Sequence, residues 1–225
     1  MERKLRITRA LLELLSEARH PFALLTKSSG IERDLDLLVP LAQQGLAAVC
    51  VTLTTLDAKL ARQLEPRAAS PERRLRIVRT LTDAGITVGV SVGPQIPFLN
   101  EDMEHVLEAA RQAGAQSAFY TVLRLPWELD PLFRQWLQLH YPQRAARIMA
   151  RVQDLHGLTD AQRERGRSYS ARFGQRFSGT GIWADLLRQR FEQTCARLGY
   201  RHGVVSLDTT QFRPPELSGQ AELFV

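Results

Sequence analysis

The chain has 225 residues, 44% hydrophobic and 24% charged, with 30 Lys and Arg against 24 Asp and Glu, giving a formal charge of +6. These totals are those of a soluble globular protein with a single core of α/β size, and no apolar run is long enough to cross a bilayer. The positive surplus would suit an anionic partner such as nucleic acid, although so modest an excess is more often a matter of solubility. The two cysteines, Cys50 and Cys195, form no metal-ligand spacing, and no signal peptide precedes Arg3 and Lys4. A cytoplasmic protein with free thiols and no membrane partner is therefore expected.

Residues 3–18 set Ile7, Leu11, Leu14, Leu15 and Ala18 on one face at three- and four-residue spacing, which predicts an amphipathic helix. Pro21 breaks it, and residues 22–26 (FALLT) read as a strand ending in the polar cluster Lys27, Ser28, Ser29, Gly30. Residues 31–44 read as a helix stopped by Gly45, with Pro40 expected to kink it or end it early. A β-branched strand over 48–52 leads to a short helix over 56–64 and the turn EPRAAS. The next helix, 70–84, is well punctuated: Ser70 can accept from its free N–H groups, Pro71 suits its first position, and Gly85 suits the left-handed cap after it.

A strand over 87–92 and the loop GPQIPFLN follow, and Asn100 is placed to cap a helix that buries Met103, Val106, Leu107 and Ala110 and ends at Gly114. Residues 118–123 form a fourth strand. Strands alternating with helices imply a parallel sheet, and such sheets gather their ligands at the carboxyl ends of the strands. Beyond Pro126 the pattern becomes helical, over 130–140 and 142–155, then a Gly- and Arg-rich linker to about Gly181, a helix over 182–198, and a tail that can form a late strand over 203–207 or fray. The chain thus divides into an α/β part (1–126), a helical extension (127–200) and an irregular tail (201–225).

Period-two alternation assigns faces. Val49, Val51, Leu53, Val88, Val90 and Val92 belong on the face covered by helices, which leaves Cys50, Thr52, Thr87, Gly89, Ser91 and Gly93 as a small, partly polar inner lining. Residues 118–124 fit either way, so Tyr120 and Arg124 are candidates for contact with a substrate.

The strings TKSSGIERDLDLL, VTLTTLD, LEPRAASPERRL, AGITVGVSVGPQIPFLNE and YTVLRLPWELDPLFRQWL, in this order, resemble the radical SAM proteins related to spore photoproduct lyase, often labelled DNA repair photolyase-like. The resemblance runs from the first residues to near Leu198. It implies a partial (β/α) barrel of the TIM type that binds S-adenosylmethionine and a [4Fe-4S] cluster, which cleaves that cofactor reductively to a 5'-deoxyadenosyl radical in lyase-like chemistry. Family members hold the cluster on a CxxxCxxC loop, which this sequence lacks, so the cluster ligands are expected on a separate chain or on a missing first unit. By the resemblance Lys27 pairs with the methionine carboxylate, Thr52 hydrogen-bonds the same ligand, and Gly93 lies against the adenine. Their ordinary readings are a solvated lysine, a β-branched strand residue and a turn glycine. Phe98 stands where the family pattern has glycine. The resemblance names a cofactor and no substrate.

A second reading is a basic nucleic-acid-binding remnant without catalytic activity, based on Arg144, Arg147 and Arg151 at helical spacing and Arg163, Arg165, Arg167, Arg172 and Arg176 in the linker. If the first barrel unit is missing, the strand at 22–26 becomes an unpaired edge and Leu11, Leu14 and Leu15 lose part of the surface they would pack on.

Overall fold

A computed structural model describes residues 2–166, 168–169, 174–201 and 205–214, apart from the side chains of Arg3 and Arg163. Arg167, Arg172 and the start of the expected late strand lie outside the described residues. Four strands, β1 (Phe22–Thr26), β2 (Ala47–Thr52), β3 (Thr87–Gln95) and β4 (Ser117–Val122), form one parallel sheet in sequence order. It is open, with β1 and β4 as its edges. The connecting helices are α1 (Glu2–Leu5) and α2 (Ile7–Glu17) before β1, then α3 (Leu35–Gln43), α4 (Ala58–Leu64), α5 (Pro71–Asp83) and α6 (Met103–Gln112). After β4 come α7 (Leu129–His140), α8 (Ala145–Leu155), α9 (Asp160–Glu164) and α10 (Ile182–Leu198).

The register fixes the faces. Leu25, Cys50, Gly89 and Ser117 stand side by side, and Thr52, Ser91 and Phe119 form the next row on the same face. On the other face Val49, Val51, Val88, Val90 and Val92 pack with Ile77, Val78 and Leu81 of α5 and Val106, Leu107 and Ala110 of α6, all buried. Burial of each such side chain contributes roughly 1.5–3 kcal/mol against leaving it in water. The alternation in β2 and β3 is therefore as the sequence implied. In β4 it resolves so that Ala118, Tyr120 and Val122 face the helices and Phe119 the open side.

Several expectations need correction. The first helix is broken at Arg6, whose φ is 52°, into α1 and α2. The buried residue of α2 is Leu12, with Ala18 just after it, while Ile7, Leu11 and Leu14 are each about half exposed (51%, 54% and 51%), because α2 packs on α3 and, among the described residues, no strand lies outside β1 to cover its other flank. The helix expected from Ile31 starts as a 3-10 turn, Ser29–Asp34, after Ser28 has accepted a hydrogen bond from the Gly30 N–H. Pro40 neither ends α3 nor shortens it, since Leu38 and Leu41 on either side are buried and offset the single missing backbone bond. Residues 205–207 form no strand. The segment instead turns at Asp208, which accepts from the Thr210 N–H and hydroxyl, and docks at the amino end of the sheet through Asp208 N–H to the Gly45 carbonyl (2.9 Å) and Arg213 N–H to the Ala18 carbonyl (2.8 Å).

The two edges differ. On β4 the Val122 N–H donates to the Phe177 carbonyl (2.8 Å) and the Arg201 N–H donates to the Gln116 carbonyl (2.9 Å), so later segments cover this strand at both ends. Among the described residues no strand lies outside β1, where Ala23 and Leu25 are exposed, Leu25 by 59%. Helices α7 and α8 build a satellite core of Leu137, Ile148, Met149 and Val152 with Ile96 and Leu125. α10 joins the main core through Leu187 and Cys195, and beyond it the Tyr200 hydroxyl donates to the Leu107 carbonyl at 2.6 Å. Among the described residues no helix is long and apolar enough to cross a membrane.

Candidate functional site

Lys27, Thr52 and Gly93 stand at the carboxyl ends of three adjacent strands, β1, β2 and β3. The turn between α4 and α5 wraps over the first two. Its Ala69 N–H donates to the Lys27 carbonyl (3.3 Å), and its Glu65 carboxylate takes the Lys27 ammonium on one oxygen and Arg74 on the other (2.5 Å). Arg74, on α5, is 2% exposed and donates also to the Ala69 carbonyl (2.8 Å) and the Thr52 carbonyl (3.0 Å). A buried guanidinium is tolerable because its donors meet a carboxylate and two carbonyls. Burial alone would raise the Glu65 carboxyl pKa, but the hydrogen bonds from Lys27 and Arg74 outweigh that and hold it below its ordinary value.

Thr52 and Ser91 are buried neighbours on the inner face. At Gly93 an added Cβ would fall 2.5 Å from the Thr121 hydroxyl and 3.0 Å from its backbone nitrogen, so the close neighbour that requires glycine here is β4. The loop after Gly93 is fixed by Asn100. Its side-chain oxygen accepts from the Ile96 N–H (2.7 Å), and its amide donates to the Thr54 and Pro94 carbonyls (2.8 and 2.9 Å). Asn100 therefore staples the ends of β2 and β3 together and does not cap α6, which starts after Asp102. Asp102 in turn accepts from the Thr55 hydroxyl (2.9 Å) and the Leu56 N–H (2.8 Å) through one oxygen, and its other oxygen is buried without a partner among the described residues. Phe98, the departure from a glycine pattern, has a φ of 63°, the left-handed region that favours glycine.

The other candidates lie apart. Tyr120 faces the helix side, with its ring 4.9 Å from that of Phe191. Arg124, just past β4, is stacked over the ring of Phe177 (4.7 Å) near Tyr169 (6.0 Å). Beside them His156 is buried, its Nε2 2.7 Å from the Leu123 carbonyl; burial lowers its pKa. The arginines of α8 do meet aromatic rings: Arg147 stacks over Phe98 (4.2 Å) and Arg151 over Trp183 (3.5 Å). These rings help line a cavity of about 120 Å³ with Gln95, Ile96, Leu187 and Arg190. Sequence reasoning missed Glu65 and Arg74. The only signal was that an acid, Glu65, sits directly before Pro66 in a turn that carries one arginine, Arg67.

The two thiols do not fit a cluster. Cluster iron takes several thiolates, and the chain has two cysteines, far apart in sequence; burial pushes Cys50 up to about 12 and Cys195 up to about 11. The described residues hold no group of three or more His, Cys, Asp or Glu able to share a metal ion.

No family model matches the chain. It is 31% identical over 136 residues to an uncharacterized protein of Mycobacterium tuberculosis, a stretch that is 59% of this chain and 40% of that protein. It is 32% identical over 122 residues to an uncharacterized protein of the Acidianus two-tailed virus (52% and 40% of the two chains). To an uncharacterized protein of Methanocaldococcus jannaschii it is 27% identical over 143 residues (64% and 52%). The matched stretch thus spans about 40% of the first two of these relatives and about half of the third.

Proposed function

We propose that the chain is the S-adenosylmethionine-binding later part of a partial (β/α) barrel of the radical SAM kind, related to spore photoproduct lyase. The observation that carries this reading is the alignment of Lys27, Thr52 and Gly93 at the carboxyl ends of adjacent parallel strands, with Lys27 41% exposed and Thr52 tied to it through Glu65 and Arg74. A compact ammonium at a strand end suits a carboxylate, and a β-strand hydroxyl beside it can take a hydrogen bond. The chain's own two cysteines, Cys50 and Cys195, are too few to supply the ligand set of a cluster. A cluster would come with a second polypeptide that adds a strand to the open edge of β1.

Isothermal calorimetry with S-adenosylmethionine tests the reading. Weak binding that Lys27→Ala weakens further is expected, and binding indifferent to Lys27→Ala sinks the assignment. The nucleic-acid alternative is favoured by one observation, the stacking of Arg147 and Arg151 on Phe98 and Trp183, which brings cations and aromatic faces to one surface. Salt-dependent binding of random-sequence single-stranded DNA, weakened by Arg147→Ala and Trp183→Ala together, would support it. Binding that these changes leave untouched removes the support.

A further inference from the structure

Lys27 is a flexible side chain on a strand end, and an unrestrained ammonium would spread its charge over many rotamers. Here it is restrained. One Glu65 oxygen takes its ammonium while the other accepts from Arg74, which is anchored on the Thr52 and Ala69 carbonyls. The Ala69 N–H closes the circuit on the Lys27 carbonyl. The ends of β1 and β2 are thus joined by a chain of contacts from Lys27 through Glu65 and Arg74 to Thr52. Lys27, Glu65 and Arg74 together carry one net positive charge, which matches one carboxylate. Glu65 is 15% exposed and Arg74 is 2% exposed, so the exposed member of the chain is Lys27.

We propose that Glu65 is a positioning residue: braced by Arg74, it holds the Lys27 ammonium at the end of β1 in register with Thr52, so that the two strand ends receive one ligand carboxylate together. This rests on the reading of Lys27 as the carboxylate partner of S-adenosylmethionine. It adds a residue from the turn between α4 and α5 and a reason for that turn to cross both strand ends.

Calorimetry with two probes separates positioning from a merely structural role. S-adenosylmethionine carries the carboxylate, and 5'-methylthioadenosine has the same adenine, ribose and sulfur without it. Glu65→Gln is expected to weaken S-adenosylmethionine about ten-fold, an effect of roughly 1.4 kcal/mol, and to leave 5'-methylthioadenosine unchanged. In a Lys27→Met background Glu65→Gln should cost nothing further, because its effect passes through the ammonium. Equal losses for both probes, or a full additional loss in the Lys27→Met background, overturn the proposal. If the wild-type chain binds neither probe, the cofactor reading fails by itself, and positioning is decided without ligand. A carbon-detected NMR titration of the Glu65 carboxyl should then show its midpoint rising in Lys27→Met, and an unmoved midpoint overturns the link between Glu65 and Lys27.

Discussion

At the β4 edge the chain returns at both ends, through Phe177 and through Arg201, to take up backbone groups, whereas at β1 the described residues return only past its carboxyl end, through the Ala69 N–H on the Lys27 carbonyl. The two strands are alike in composition, FALLT against SAFYTV, and both expose a large apolar residue, Leu25 or Phe119. Local sequence does not distinguish them. What differs is distant chain, since the residues covering β4 lie more than fifty positions beyond it. A protected edge is thus a property of topology, and the side left open is the one on which α2 also presents Ile7, Leu11 and Leu14 to solvent.

The contrast predicts its own largest effect. The isolated chain is expected to self-associate through β1, and Leu25→Lys to restore a monomer, because a charge on an edge strand blocks sheet extension. Phe119→Lys, next to the covered edge, should change nothing. Size-exclusion chromatography with light scattering reads both, and a wild-type chain that is monomeric at every concentration breaks the comparison.

Next in size is the anchor of the β1 end. Arg74→Met leaves the Glu65 carboxylate without its buried partner and should cost about 3–5 kcal/mol in urea unfolding. A loss under 1 kcal/mol would mean that water replaces the guanidinium.

Acid should separate the two sides. His156, buried under the segment that covers β4, has its pKa lowered by burial, so its folded value lies below the unfolded 6.5. The stability it confers is complete above about 6.5 and declines as pH falls from there through the folded value. Glu65 is also depressed, from 4.5, so its contribution persists to lower pH and is lost as pH falls below that range. Unfolding free energy against pH should therefore fall in two stages, with His156→Gln flattening the upper one and Glu65→Gln the lower.

The smallest effect concerns the loop after β4. Trp127 has a φ of 47° and is 83% exposed, so Trp127→Gly relieves left-handed strain while giving up little burial, a gain of about 1 kcal/mol. A loss on thermal melting would show that the ring packs on something in solution.

What was readable in the sequence was local. The valines of β2 and β3 declare their face by alternation, Ser70 and Pro71 open α5 as their chemistry dictates, and 182–198 matches α10 in full. Asn100 misled because an amide before acidic residues has the chemistry of a cap, and its actual partners, Thr54 and Pro94, are backbone carbonyls on two other segments. Glu65 was illegible for the same reason: Lys27 lies 38 residues away and Arg74 nine, and no local pattern links them. Pro40 shows the converse, a local signal for an early helix end overruled by the burial of Leu38 and Leu41.

The raised pKa values of the two thiols have a practical consequence. Burial holds Cys50 at about 12 and Cys195 at about 11, so each thiol is overwhelmingly protonated, and correspondingly unreactive, at pH 8. A cysteine introduced at exposed Leu11 on α2 would therefore take a maleimide fluorophore or spin label selectively, with both native cysteines left in place. The open edge can then be watched spectroscopically, through distances between labels on different molecules, in an otherwise unaltered chain.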